Sequence, residues 1–126
     1  MNLVDSSGWL EYLADDPGAG FFAEALSDPE SLLVPTICML EAARIVTRER
    51  GIDEAVEAIT LMMRGCVVDL DVSIMLSAAQ LALEHRLPLA DSAILATARL
   101  YGATLWTQDS DFKGLEGVRY TPKIKK

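Results

Sequence analysis

The feature that most constrains this chain is the alternation of short, largely apolar segments with longer stretches of helical periodicity. The apolar segments are Asn2–Asp5, Ser31–Val34, Cys66–Leu70, Ala103–Thr107 and Val118–Tyr120. Most of them do not alternate polar and apolar residues, so as strands they would be covered on both faces, the mark of a parallel sheet between helices. The intervening stretches read as helices. Ser6-Ser7 offers N-cap chemistry to a helix carrying Trp9, Leu10 and Leu13, and Asp15-Asp16-Pro17-Gly18 breaks it. Phe21, Phe22, Ala25 and Leu26 mark a second helix. The stretch after Pro35-Thr36 turns Ile37, Leu40 and Ile45 inward and ends near Gly51, with Arg48 and Arg50 in its last turn. Asp53 opens a helix that runs to Gly65. Val72–Arg86 is a long helix with Ile74, Leu76, Ala79, Leu81 and Leu83 as its apolar positions, and Asp91 starts another that stops at Gly102. Right-handed crossovers then give a three-layer α/β/α fold with a short central parallel sheet.

The 126 residues fit one domain, residues 1–126, with about 122–126 as a frayed basic tail. A chain of this length buries roughly two-thirds of its unfolded surface and needs no disulfide or structural metal to fold. No apolar run reaches the ~20 residues of a membrane span, and the N-terminus lacks a signal-peptide pattern, so a cytoplasmic location is expected. Cys38 and Cys66 form no CxxC or Cys/His cluster and read as buried reduced thiols. His85, the only histidine, stands at a helix end, which excludes Ser-His and Cys-His catalysis.

In open parallel sheets the functional crevice lies beyond the carboxyl ends of the strands. Asp5 and Asp109 follow two such ends, and Asp91 stands at a helix N-terminus facing the same edge. Glu41 interrupts the apolar run Ile37-Cys38-Met39-Leu40-Glu41-Ala42-Ala43. Each acid also has a purely structural explanation: Arg44 could neutralise Glu41, Asp91 could cap its helix, Asp109 and Asp111 could form a turn, and Asp5 could bond Ser7. Their joint placement at one sheet edge argues for a site. Converging carboxylates raise each other's pKa values, and a hard divalent cation such as Mg²⁺ or Mn²⁺ relieves the conflict. Two ions roughly 4 Å apart can activate water and stabilise the leaving oxygen of a phosphodiester. That chemistry leaves a 5′-phosphate and a 3′-hydroxyl.

The segments Leu3-Val4-Asp5-Ser6-Ser7, Glu41 in its helix, Leu89-Ala90-Asp91-Ser92-Ala93-Ile94-Leu95-Ala96-Thr97-Ala98, and Thr107-Gln108-Asp109-Ser110-Asp111-Phe112 resemble PIN domains, and more narrowly VapC toxins of toxin–antitoxin pairs. The resemblance runs over nearly the whole chain. It implies a Mg²⁺-dependent endoribonuclease acting on structured RNA such as tRNA or rRNA, a homodimer, and a small antitoxin partner. By position it makes Asp5, Glu41, Asp91 and Asp109 the catalytic and metal-binding acids, with Asp111 assisting. Ser6 and Thr107 would orient carboxylates or water. Trp9, Tyr12, Phe21 and Phe22 would contribute to an antitoxin groove, and Arg44, Arg99 and Lys113 are candidates for phosphate contacts.

The net charge of -8 opposes nonspecific nucleic-acid binding. The balance is uneven: from Arg99 onward six Lys/Arg face three acids, about +3, so the residues before it carry about -11. Three alternatives stand beside the toxin reading. One is a PIN nuclease of RNA processing, and another a PIN domain that binds without cutting. The third is a phosphoacceptor receiver domain using Asp69 or Asp71 with Thr107, although Asp5-Ser6-Ser7 lacks the adjacent acidic pair a receiver needs.

Overall fold

The computed structural model describes residues 1–125 of the chain. Five parallel strands form one sheet: β1 (Asn2–Val4), β2 (Leu32–Pro35), β3 (Cys66–Val68), β4 (Thr104–Thr107) and β5 (Val118–Tyr120). Six helices surround it: α1 (Ser6–Leu13), α2 (Ala19–Leu26), α3 (Thr36–Arg50), α4 (Ile52–Met62), α5 (Val72–His85) and α6 (Leu89–Leu100). The result is a three-layer α/β arrangement. The sheet order is β3-β2-β1-β4-β5. From β1 the chain builds outward through β2 and β3, then crosses back to lay β4 against the other side of β1. Leu3 therefore pairs with Leu33 on one side and Leu105 on the other.

The three central strands are buried as their composition demands: Leu32 to Pro35 are all inaccessible, as are Leu3, Val4, Leu105 and Trp106, whereas the edge strands β3 and β5 are largely open, with Cys66, Val67 and Arg119 exposed. Seven consecutive residues of α6, Ser92 to Ala98, are buried too, so this helix is enclosed on all sides. Gly8 in α1 passes close to α2 and β1. A Cβ there would lie 2.6 Å from both the Phe22 ring and Val4 Cγ1, so only glycine fits this crossing.

Several expectations need correction. In α5 the inward positions are Ile74, Ala78 and Leu81, whereas Leu76, Ala79 and Leu83 face outward. This helix is apolar nearly all round, and periodicity cannot choose a face when two faces qualify. In α3, Cys38 and Ala42 point into the core while Leu40 is exposed. Helix α6 begins at Leu89 rather than Asp91, because Pro88 ends the preceding loop at φ -54° and a helix starts readily just after it. Cys38 is buried as expected, but Cys66 is exposed on the edge strand β3, and both thiols are free. Within the segment 122–126, expected as a frayed basic tail, the Lys123 ammonium pairs with Glu11 at 3.1 Å. Lys126 lies outside the described residues. Among the described residues no helix is long and apolar enough to cross a membrane.

Candidate active site

The sheet order reverses between β1 and β4, and the carboxyl ends of these two neighbouring strands open onto one crevice, where α/β sheets place their ligands. Asp5 follows β1 and Thr107 ends β4. The register that pairs Val4 with Trp106 brings these next residues together, and Thr107 Oγ1 donates to Asp5 Oδ2 at 2.6 Å. The other carboxylate oxygen, Asp5 Oδ1, accepts from Ser7 Oγ at 2.7 Å and from the Gly8 amide at 2.9 Å. Asp5, not the serine pair, is thus the N-cap of α1. The purely structural account of Asp5, bonded to Ser7, is literally present. Three donors do not fully offset its burial: desolvation pushes the Asp5 carboxyl up to about 6, against a usual 3.8.

Asp91, Asp109 and Asp111 each bring a carboxylate oxygen within 4.8 Å of the others. Two local devices position them. Asp109 Oδ1 accepts from the Asp111 amide at 2.9 Å, closing a turn that starts the 3₁₀ segment Ser110–Phe112. Phe112, fully buried, plugs that segment into the core. Asp91 is the third residue of α6 and not its cap. The positive end of a helix should favour its ionised form. Burial wins instead, reinforced by the charges of Asp109, Glu41, Asp5 and Asp111, and lifts Asp91 to about 7.

The other four expected acids are all near enough for their charges to raise Asp91, but only three of the five form the tight group. Asp111, expected as an assistant, belongs to it, while Asp5 and Glu41 stand outside it. Glu41 makes no ion pair with Arg44 among the described residues; its Oε1 accepts from Ser6 Oγ at 3.0 Å, tying α3 to α1. Thr107 Oγ1 has a second task, accepting from the Asp109 amide at 2.9 Å. Cys38, wholly buried, has its thiol pKa raised well above the usual value by desolvation and then by Asp5 and Glu41, so it is unreactive.

The sequence reading missed Glu11. Its carboxylate is buried, accepting from Gln108 Nε2 at 3.0 Å, the Gly18 amide at 2.7 Å and Lys123 Nζ at 3.1 Å. Burial pushes its pKa up, but these hydrogen bonds and the Lys123 charge outweigh it and leave the pKa lowered. The signal was the one that flagged Glu41, an acid inside an apolar run, here Trp9-Leu10-Glu11-Tyr12-Leu13. Beside this group opens a groove of about 760 Å³ between α1, α3 and α4, which reaches Asp109. Its charged lining is mostly acidic: Glu11, Asp16, Glu49, Glu54, Glu57 and Asp109 against Arg50 and Lys123.

The four rings expected to form an antitoxin groove are mainly structural. Trp9 and Phe22 are buried, and Phe21 packs edge-on to Phe22 at 5.0 Å and against Trp106 at 5.1 Å. Tyr12 alone of the four is exposed. Of the cations put forward for phosphate, Arg44 is exposed, Arg99 donates to the Glu116 carbonyl at 3.4 Å, and Lys113 lies 5.8 Å from the Tyr120 ring centre. Of the two acids of the receiver alternative, Asp71 caps α5 by accepting from the Ile74 amide.

A toxin–antitoxin complex from Klebsiella pneumoniae is similar in structure, with a TM-score of 0.79 and 23% identity over 94% of this chain and 96% of that one. VapC20 of Mycobacterium tuberculosis, a toxin that cleaves the sarcin–ricin loop, gives 0.77 and 21% over 92% and 95%. VapBC2 of Rickettsia felis, bound to a DNA fragment from its promoter, gives 0.74 and 14% over 96% and 97%. At these identities the likeness is one of fold. No curated protein sequence matches the chain. The PIN domain profile matches residues 3–118, a span that includes all five acids, and on that match the chain belongs to the PIN-domain family.

Proposed function

We propose that this chain is a Mg²⁺-dependent endoribonuclease, the toxin of a VapC-type toxin–antitoxin pair, acting on structured RNA. The observation that carries the reading is the group Asp91, Asp109 and Asp111, with carboxylate oxygens within 4.8 Å and Asp91 lifted to about 7. Such a cluster is under-neutralised, and its all-oxygen donors suit a hard divalent cation; Mn²⁺ is an acceptable substitute. A bound cation would supply the Lewis acidity that activates water and stabilises charge on a phosphodiester.

The rest falls to the chain. Asp91, Asp109 and Asp111 would hold the cation, and Asp5 and Glu41 add negative charge beside them. Ser6 fixes Glu41, and Thr107 fixes Asp5 and the Asp109 backbone together, so these groups need not reorganise during the reaction. Without a cation the acidic crevice would repel a phosphodiester, and a bound cation would lessen that repulsion.

Two partners belong to this reading. The acidic groove beside the site fits a basic segment of an antitoxin. The outward stripe of α5, Val72, Leu76 and Leu83, at 66%, 67% and 85% exposure, fits the same stripe of a second copy in a homodimer. The setting is the cytoplasm.

The test is cleavage of a mixed tRNA and rRNA pool with Mg²⁺ or Mn²⁺, with EDTA, and with Asp5→Asn and Asp91→Asn proteins. Metal-dependent cuts bearing 5′-phosphates, lost in both variants, are expected. Equal cutting by wild type and variants, or indifference to EDTA, would refute the reading.

A further inference from the structure

The residues between β4 and the acid cluster are held from two directions by groups with no part in the chemistry above. From α1, Ser7 Oγ accepts from the Gln108 amide at 3.4 Å and Glu11 Oε1 accepts from Gln108 Nε2 at 3.0 Å. From the C-terminal tail, the Thr121 amide donates to the Thr107 carbonyl at 3.0 Å and Lys123 Nζ donates to Glu11 Oε1 at 3.1 Å. Glu11 is where the two grips meet. Its other oxygen is fixed by the Gly18 amide, so the carboxylate itself cannot swing.

Burying an ionised carboxylate is costly, and the fold offsets that cost with three donors at one point, one of them the cation Lys123. A plain helix–loop tie could be apolar. The element so anchored is Thr107-Gln108-Asp109, whose three side chains reach Asp5, Glu11 and the Asp111 amide in turn. We propose that Glu11 is a positioning residue: it clamps Gln108 and the tail's Lys123, and so holds the Asp109 carboxylate against Asp91 and Asp111. The exposed half of the clamp, Lys123, makes the C-terminal tail part of the site rather than an appendage.

The inference rests on the metal reading for one of its two measurements and stands without it for the other. The variants are Glu11→Gln, which keeps shape and removes charge, and Gln108→Met, which cuts the same tie from the loop side. Backbone amide exchange at Asp109 and Asp111 is read in metal-free protein, and Mn²⁺ affinity is read by calorimetry. Removing a group that orients a metal ligand typically costs roughly 10–100-fold in affinity, and at one remove we expect about tenfold. Exchange at Asp109 and Asp111 should quicken by a similar factor, with α5 and α6 amides unchanged.

A purely structural role for Glu11 would lower the melting temperature and leave both quantities as in wild type, and that result overturns the proposal. If Glu11→Gln does not fold, Gln108→Met decides alone by the same readings. If wild type binds no Mn²⁺, the metal reading fails, and the exchange rates still decide whether the clamp exists.

Discussion

Thr107→Val removes one hydroxyl and little volume, yet it should be among the more damaging substitutions in this chain. The side chain is fully buried, and its hydroxyl serves two partners, donating to Asp5 Oδ2 at 2.6 Å and accepting from the Asp109 amide at 2.9 Å. A hydrogen bond to a charged group is worth about 1.5–3 kcal/mol, and an amide left without its acceptor costs about 1 kcal/mol more. The expected loss at pH 8, where Asp5 is ionised, is therefore about 2–4 kcal/mol, a large share of the roughly 5–15 kcal/mol that holds a domain together.

The loss should shrink in acid. Thr107 is a donor that lowers the Asp5 pKa, so removing it raises that pKa beyond about 6 and makes the substitution cost more as Asp5 ionises. At pH 5 the carboxyl is mostly protonated and the cost should fall to about 1–2 kcal/mol. The assay is urea unfolding of metal-free protein at both pH values, repeated in an Asp5→Asn background, where the coupling to Thr107 should drop to that of a neutral hydrogen bond. Equal losses at pH 5 and pH 8, or a loss at pH 8 below about 0.5 kcal/mol, would show that the Thr107–Asp5 bond does not carry the charge assigned to it.

The metal-free wild type should itself lose stability as pH rises. Asp5 titrates at about 6 in the folded chain against 3.8 unfolded, so the folded state binds more protons across that interval, and stability present below it is lost above it. At about 1.4 kcal/mol per pKa unit this amounts to roughly 3 kcal/mol for Asp5. Asp91 pushes in the same direction up to about pH 7. Melting scans in EDTA from pH 4 to 8 test this, and Mn²⁺ at pH 8 should restore the lost stability; a flat or rising profile would contradict the assigned shifts. On the outer face of α5, Leu76→Glu with Leu83→Glu should convert a dimer into a monomer in sedimentation without lowering the melting temperature of the protomer. A wild type that sediments as a monomer at micromolar concentration would remove the basis for pairing through that stripe.

Much of the architecture could be read from the chain alone. Short apolar segments with little alternation read as strands of a sheet covered on both faces, and their separation by helical stretches points to parallel pairing; the edge strands β3 and β5 depart from the first part, with Cys66, Val67 and Arg119 exposed. The acids Asp5, Glu41, Asp91, Asp109 and Asp111 stood out because each sits at a strand end, in a helix start or within an apolar run. What sequence could not settle were choices that depend on the other side of a contact. Helix α5 is apolar nearly all round, so only packing decided that Ile74, Ala78 and Leu81 face inward and Leu76 and Leu83 outward. Glu41 had a cation at i+3 and took a serine from another helix instead.

The sheet order is the deepest of these decisions. Asp5 and Thr107 are separated by 102 residues and meet because β4 pairs with β1 across the reversal of strand order, a relation no local pattern encodes. Glu11 and Lys123, 112 residues apart, meet for the same reason. Local chemistry thus determined which residues could form a site. The tertiary pairing of β1 with β4 decided which became neighbours, because a carboxylate's energy is set by the donors, charges and burial the whole fold places around it.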